Sequence, residues 1–154
     1  MRKAFLSAAF FLAGVILLSQ PAAAQATSFL LMPGIEGEAQ DKDHKNWIDV
    51  ISVSWGGGSK APTAAAGPGW LIVIKRTDKA SPSLTAKAGT KQKLAEVTLE
   101  TSGAGPDGKS GTWVYNMTGV TIPFIKPAAG RSLGPQESVT LSYEKLSVTY
   151  TPQK

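Results

Sequence analysis

One stretch of this chain matches a nucleotide-handling pattern letter for letter. Gly103-Ala-Gly-Pro-Asp-Gly108-Lys109-Ser110 fits G-x-x-x-x-G-K-[ST]. Phosphate binding by that pattern requires a helix starting at the lysine, so that backbone N–H groups and the helix dipole face the anion. Here Gly111 follows, and Thr112-Trp-Val-Tyr-Asn-Met117 alternates as a strand does, so the sequence predicts a hairpin loop instead. A second cluster gathers Glu36, Glu38, Asp41, Asp43 and Asp49 around His44, the single histidine. Carboxylates at this density could hold calcium. The spacing is not that of an EF-hand loop, however, and no glycine sits mid-loop to make its sharp turn. One histidine supplies neither a facial triad nor a base for a nucleophile. The expectation is a solvated turn bonded to its own backbone. Glu96 and Glu100 fall on the outward side of an alternating segment, and no serine sits in a G-x-S-x-G elbow. These residues predict no catalytic, cofactor-binding or metal-binding site, and a chain that is not an enzyme.

The elements around these residues read as strands separated by glycine and proline. Val50–Trp55 places Ile51, Val53 and Trp55 on one face and Ser52 and Ser54 on the other. Trp70–Lys75 is apolar on both faces, as a strand covered on both sides would be. Leu94–Thr101 turns Val97 and Leu99 inward and Glu96, Thr98 and Glu100 outward. Trp113, Tyr115 and Met117 share a face, as do Val120, Ile122 and Phe124, and Val139, Leu141 and Tyr143 alternate with Thr140 and Ser142. Beyond them Leu146, Val148 and Tyr150 continue one register out. Glu144-Lys145 is poor hairpin chemistry, which predicts a bulge in one long strand. Period two throughout argues for antiparallel sheets closed into a barrel or sandwich.

One short helix is expected from Ser81 as N-cap, Pro82 at its first position and Gly89 as left-handed C-cap. Leu84 and Ala88 would form its apolar face. Three segments read as loops: Gly56–Gly69, Ser102–Gly111 and Lys126–Pro135. The first, rich in glycine, alanine and proline, is long enough to suggest a function of its own.

The chain has 154 residues, no cysteine and a formal net charge of +5. Arg2 and Lys3, the apolar run Ala4–Leu18 and the small residues Ala22–Ala26 have the order of a secretory signal peptide, with cleavage after Ala24 or Ala26. The apolar run falls short of the roughly twenty residues that span a bilayer, which argues against stable membrane anchoring. Residues 27–154 then form one domain, large enough for a core without disulfides. Its lysines are scattered and Arg131 and Arg76 form no basic stripe, so nucleic acid is not an expected partner.

Gly34-Ile-Glu-Gly-Glu-Ala-Gln-Asp-Lys-Asp-His-Lys-Asn-Trp-Ile-Asp-Val-Ile-Ser-Val-Ser-Trp-Gly56 resembles the haemolysin-coregulated protein (Hcp) family, which forms the tube of bacterial type VI secretion. The resemblance continues through Lys75-Arg-Thr-Asp-Lys-Ala-Ser-Pro-Ser-Leu84, Glu137-Ser-Val-Thr-Leu-Ser-Tyr143 and Leu146-Ser-Val-Thr-Tyr150. It implies an all-β fold, an antiparallel β-barrel of two sheets with one short flanking α-helix. It also implies self-association into homohexameric rings that stack into a tube, with the loop after Ser-Trp-Gly contributing to stacking. Effector or tip proteins of the secretion system are implied partners, and no cofactor or catalytic residue is carried over. Two features depart from the family: the signal peptide, since tube subunits normally act from the cytoplasm, and the absence after Lys154 of a further turn and closing strand. They leave an alternative, an exported protein-binding module acting as a monomer or isolated ring, periplasmic or secreted, with a final strand edge unpaired.

Overall fold

A computed structural model describes residues 27–56, 61–129 and 134–154. The expected signal peptide, residues 57–60 of the first loop and Arg131 lie outside the described residues. Eight strands follow in the order β1 (Ser28–Leu31), β2 (Ile48–Val50), β3 (Ser52–Trp55), β4 (Gly69–Arg76), β5 (Leu94–Ala104), β6 (Ser110–Ala128), β7 (Gln136–Tyr143) and β8 (Lys145–Pro152). A helix, α1 (Ser81–Thr90), sits between β4 and β5. All pairings are antiparallel, in the order β2-β1-β5-β6-β7-β4-β3, with β8 also on β6. The hydrogen-bonded ladder does not close, unlike the closed barrel expected. Its two end strands are instead consecutive in the chain and joined through Ile51, whose N–H bonds Ile74 C=O at 2.8 Å.

That junction corrects the reading of Val50–Trp55 as one strand. Ile48 and Val50 point into the core from β2, and Trp55 does so from β3. Both sets can face inward only if the alternation slips by one residue, and Ile51, the extra residue, is 37% exposed. The same arithmetic shapes β6, a strand of 19 residues. Met117 and Val120 are both buried, and Gly119 between them takes φ +64, a value that glycine adopts without penalty. A second irregularity between Thr121 and Phe124 resets the phase again. Phe124 therefore faces outward at 58% exposure, rather than inward with Val120 and Ile122.

Several expectations hold. Val97 and Leu99 are buried in β5, and Trp113, Tyr115 and Met117 line the interior from β6. β7 and β8 run consecutively along β6 with Glu144 at the kink, its N–H bonded to Thr118 C=O, so the chain bends there without a hairpin. The phosphate-loop look-alike is the β5–β6 hairpin. Gly105 N–H bonds Lys109 C=O at 2.8 Å, and Gly108 takes φ +75. Lys126–Ala128, expected in a loop, belong to β6.

α1 buries Leu84 completely, with Ala88 packed against the core. Its caps differ from expectation. Ala80 is the N-cap, without a side-chain bond, and Lys91 takes the left-handed C-cap at φ 51, two residues beyond Gly89. Ser81 is already inside the helix because its hydroxyl has other partners, described next.

Candidate assembly surface

β4 decides where the exposed apolar surface lies. Leu71, Val73 and Lys75 face inward and are fully buried, while Trp70, Ile72 and Ile74 face outward. The sequence implied cover on both sides, but the chain covers only one, and Trp70 is left 57% exposed. Register extends the outward face across four strands. Ser54, Ile72, Thr140 and Phe124 lie in one row, and Ser52, Ile74, Ser138 and Lys126 in the next. Trp70, Ser142 and Thr121 form a third row. These rows carry apolar and hydroxyl side chains with no carboxylate, and the Lys126 ammonium lies 5.4 Å from the Phe124 ring centre. Beside Phe124, a groove of about 390 Å³ is lined by Ala88, Lys91, Thr121, Ile122 and Pro123. Exposed apolar side chains rimmed by polar ones mark surfaces that meet another protein.

The described part of the Gly56–Gly69 loop, residues 61–68, leads into this face at Trp70. Residues 61–68 are mostly exposed, and the Trp70 indole occupies the space where a Gly56 side chain would stand. The loop is also stitched to β8, because Ala66 and Leu146 exchange both backbone hydrogen bonds, at 2.9 and 2.8 Å. Among described residues this is the pairing on the outer edge of β8.

Beneath the face lies a polar hub that sequence reasoning missed. The Lys75 ammonium, fully buried, donates to Asp78 Oδ1 at 2.7 Å, Glu137 Oε1 at 2.8 Å and Arg76 C=O at 2.7 Å. The Ser81 hydroxyl donates to Glu137 Oε1 at 2.7 Å and accepts the Asp78 N–H. The hub ties β4, β7 and the start of α1 together. Its signal was present in the sequence, since Lys75 ends an inward series begun by Leu71 and Val73.

The acidic residues near His44 disperse. Asp41 Oδ1 accepts the N–H groups of Asp43 and His44, each at 3.1 Å, so this part is a turn bonded to its own backbone, as expected. Glu38 accepts Lys79 N–H at 3.1 Å, and Glu36 pairs with the Lys79 ammonium at 3.4 Å. Asp49 borders a polar recess of about 240 Å³ with Glu38, Arg76, Thr77 and Asp78. Burial pushes its carboxyl up, helped by Asp78, Asp41 and Glu38 and opposed by Arg76. Among the described residues no three acidic or histidine side chains converge as a metal site would need. Lys109 sits in the hairpin, away from any helix start.

Comparison with known proteins agrees with this architecture. The family model described as type VI secretion system effector, Hcp, matches residues 29–150. Hcp1 from Salmonella typhimurium superposes with a TM-score of 0.65 at 25% identity, covering 82% of this chain and 86% of that one. A type VI secretion system effector from Yersinia pestis gives 0.58 at 22% identity, covering 82% and 99%. Secreted protein Hcp3 from Pseudomonas aeruginosa gives 0.56 at 15% identity, covering 84% and 99%, a likeness of fold. A comparison with curated proteins finds no match. No helix among the described residues is long and apolar enough to cross a membrane. With its match spanning all eight strands except the first residue of β1 and the last two of β8, the chain belongs to the Hcp family of type VI secretion system proteins.

Proposed function

We propose that the chain is a structural subunit of a type VI secretion tube, and that residues 27–154 close into homohexameric rings that stack. The observation that carries this reading is the family match over residues 29–150 on the family's own fold. The half-covered β4 supports it: an apolar row of Trp70, Ile72 and Ile74 with cover on one side only suits a chain completed by copies of itself. The loop at residues 61–68, exposed and built of small residues, is the segment that would govern stacking of one ring on the next. Effector or tip proteins are the proposed further partners. The basic and apolar N-terminal segment, with its small-residue tract, would send the chain to the periplasm or medium. The alternative, an exported binding module, is not favoured by a family match of this extent.

Light scattering coupled to size-exclusion chromatography on residues 27–154 tests the ring. A mass six times the protomer's is expected, and a protein that stays monomeric at high concentration would overturn the reading. Intact mass of exported protein tests the leader, and a mass that includes Met1 would remove it.

A further inference from the structure

His44 is held in a way that the turn around it does not require. Residues 36–47 form a strap closed at its base by Gly37 N–H to Asn46 C=O at 2.8 Å and Ala39 N–H to Trp47 C=O at 3.0 Å. From this strap the imidazole lies flat on Phe29 of β1, with ring centres 4.2 Å apart and planes 9° from parallel, and meets the edge of Trp47. Its Nδ1 is 2.6 Å from Asp41 Oδ1, and its Nε2 is 2.7 Å from Glu100 Oε2 on β5.

Hydrogen counting decides what this geometry means. Asp41 Oδ1 already accepts two backbone N–H groups, so it is an acceptor toward Nδ1 as well. The contact with Glu100 needs a second proton between Nε2 and Oε2. A neutral imidazole carries one ring proton, and two carboxylates at this distance call for two. The charged groups facing the ring are Asp41 from the strap and Glu100 from β5. Asp49 of β2 stands opposite Phe29 in the register, and Lys42, Asp43 and Lys45 are exposed neighbours along the strap. β1 brings no charge to the ring.

We propose that His44 is an imidazolium clasp that pins the 36–47 strap onto β1 and β5 and releases it as the pH rises. Burial of the ring opposes the charged form, but Glu100 and Asp41 outweigh it and raise the imidazole above its ordinary value of 6.5. The clasp is therefore fully closed below that ordinary value and opens as the pH passes the raised one. Release reaches further than the ring, because the same strap carries Glu36 and Glu38, which hold Lys79 just ahead of α1. The device makes the attachment between the β1–β5 sheet and the helix side pH-dependent, whatever the oligomeric state.

The single histidine makes the test direct, since every imidazole signal of the chain is His44. Nitrogen-15 NMR of residues 27–154 should show both ring nitrogens protonated at pH 6.5, with a titration midpoint above 6.5. Amide exchange in residues 37–47, corrected for its intrinsic pH dependence, should speed up at least tenfold across that midpoint, while β6 and β7 stay protected. Glu100→Gln keeps the shape and should bring the midpoint down, and His44→Gln should abolish the pH-dependent step in strap exchange. A midpoint at or below 6.5, one bare ring nitrogen at pH 6.5, or a midpoint unmoved by Glu100→Gln would each overturn the clasp. Strap exchange that stays level through the midpoint would overturn the release.

Discussion

The same arrangement, a cation held between two carboxylates, occurs twice in this fold with opposite surroundings. Lys75 lies between Asp78 and Glu137 with its side chain 1% exposed, and His44 lies between Asp41 and Glu100 with its side chain 16% exposed. The lysine ammonium is shielded from bulk solvent, so each bond substitutes for hydration lost on folding. The histidine clasp sits at the surface, where solvent replaces a lost contact at small cost. Burial thus makes one arrangement part of the architecture. Partial exposure, with a side chain that titrates near neutrality, makes the other adjustable.

Lys75→Met should break the comparison most forcefully. It strands Asp78 and Glu137 without their cation, and a loss of about 3–5 kcal/mol is expected from chemical denaturation. Adding Glu137→Leu should recover part of that loss, because the worst fault is the uncompensated charge. A K75M protein of unchanged stability would show that water reaches the hub. Ser81→Ala comes next, at about 1–3 kcal/mol, since it removes a donor to Glu137 and the acceptor for Asp78 N–H.

His44→Gln should cost less than either and, unlike them, only over part of the pH range. Its melting temperature should fall below the parent's under pH 6.5 and converge with it well above the raised value, because the parent loses the clasp there. An equal loss at every pH would make the ring a packing element alone. The smallest effect on stability should come from the exposed face. Trp70→Ser, or glycine at every position of 61–65, should leave the midpoint of denaturation nearly unchanged. In electron micrographs the loop variant should give rings without longer tubes. Residue 66 is spared because the greater backbone freedom of glycine would loosen the paired backbone bonds between Ala66 and Leu146.

Much of the fold was legible because strand alternation is local. Val97 and Leu99, or Val139, Leu141 and Tyr143, announce their faces within a few residues, and the β5–β6 hairpin follows from Gly105-Pro-Asp-Gly108. Phase slips were harder. A single extra residue at Ile51, at Gly119 or near Pro123 inverts everything downstream, and only pairing with a neighbour shows where it falls. Phe124 was misplaced for that reason. Ser81 was misread for another, since a serine beside a proline suits an N-cap equally whether or not Glu137 and the Asp78 N–H claim its hydroxyl. β1 went unread because a four-residue strand straight after an apolar and small-residue segment has too little pattern to separate from it.

By itself the sequence determined the chemical repertoire and the strand-rich plan. Motif blocks running from Gly34 to Tyr150 were enough for a tube-forming family, and the alternation after Ser110 was enough for a strand there. Only the tertiary structure decided which apolar face stays open and which charges meet. Lys75 finds Glu137 across 62 positions and His44 finds Glu100 across 56. The reason is physical: alternation with period two is written residue by residue, whereas ladder register and burial emerge only when distant strands pack together.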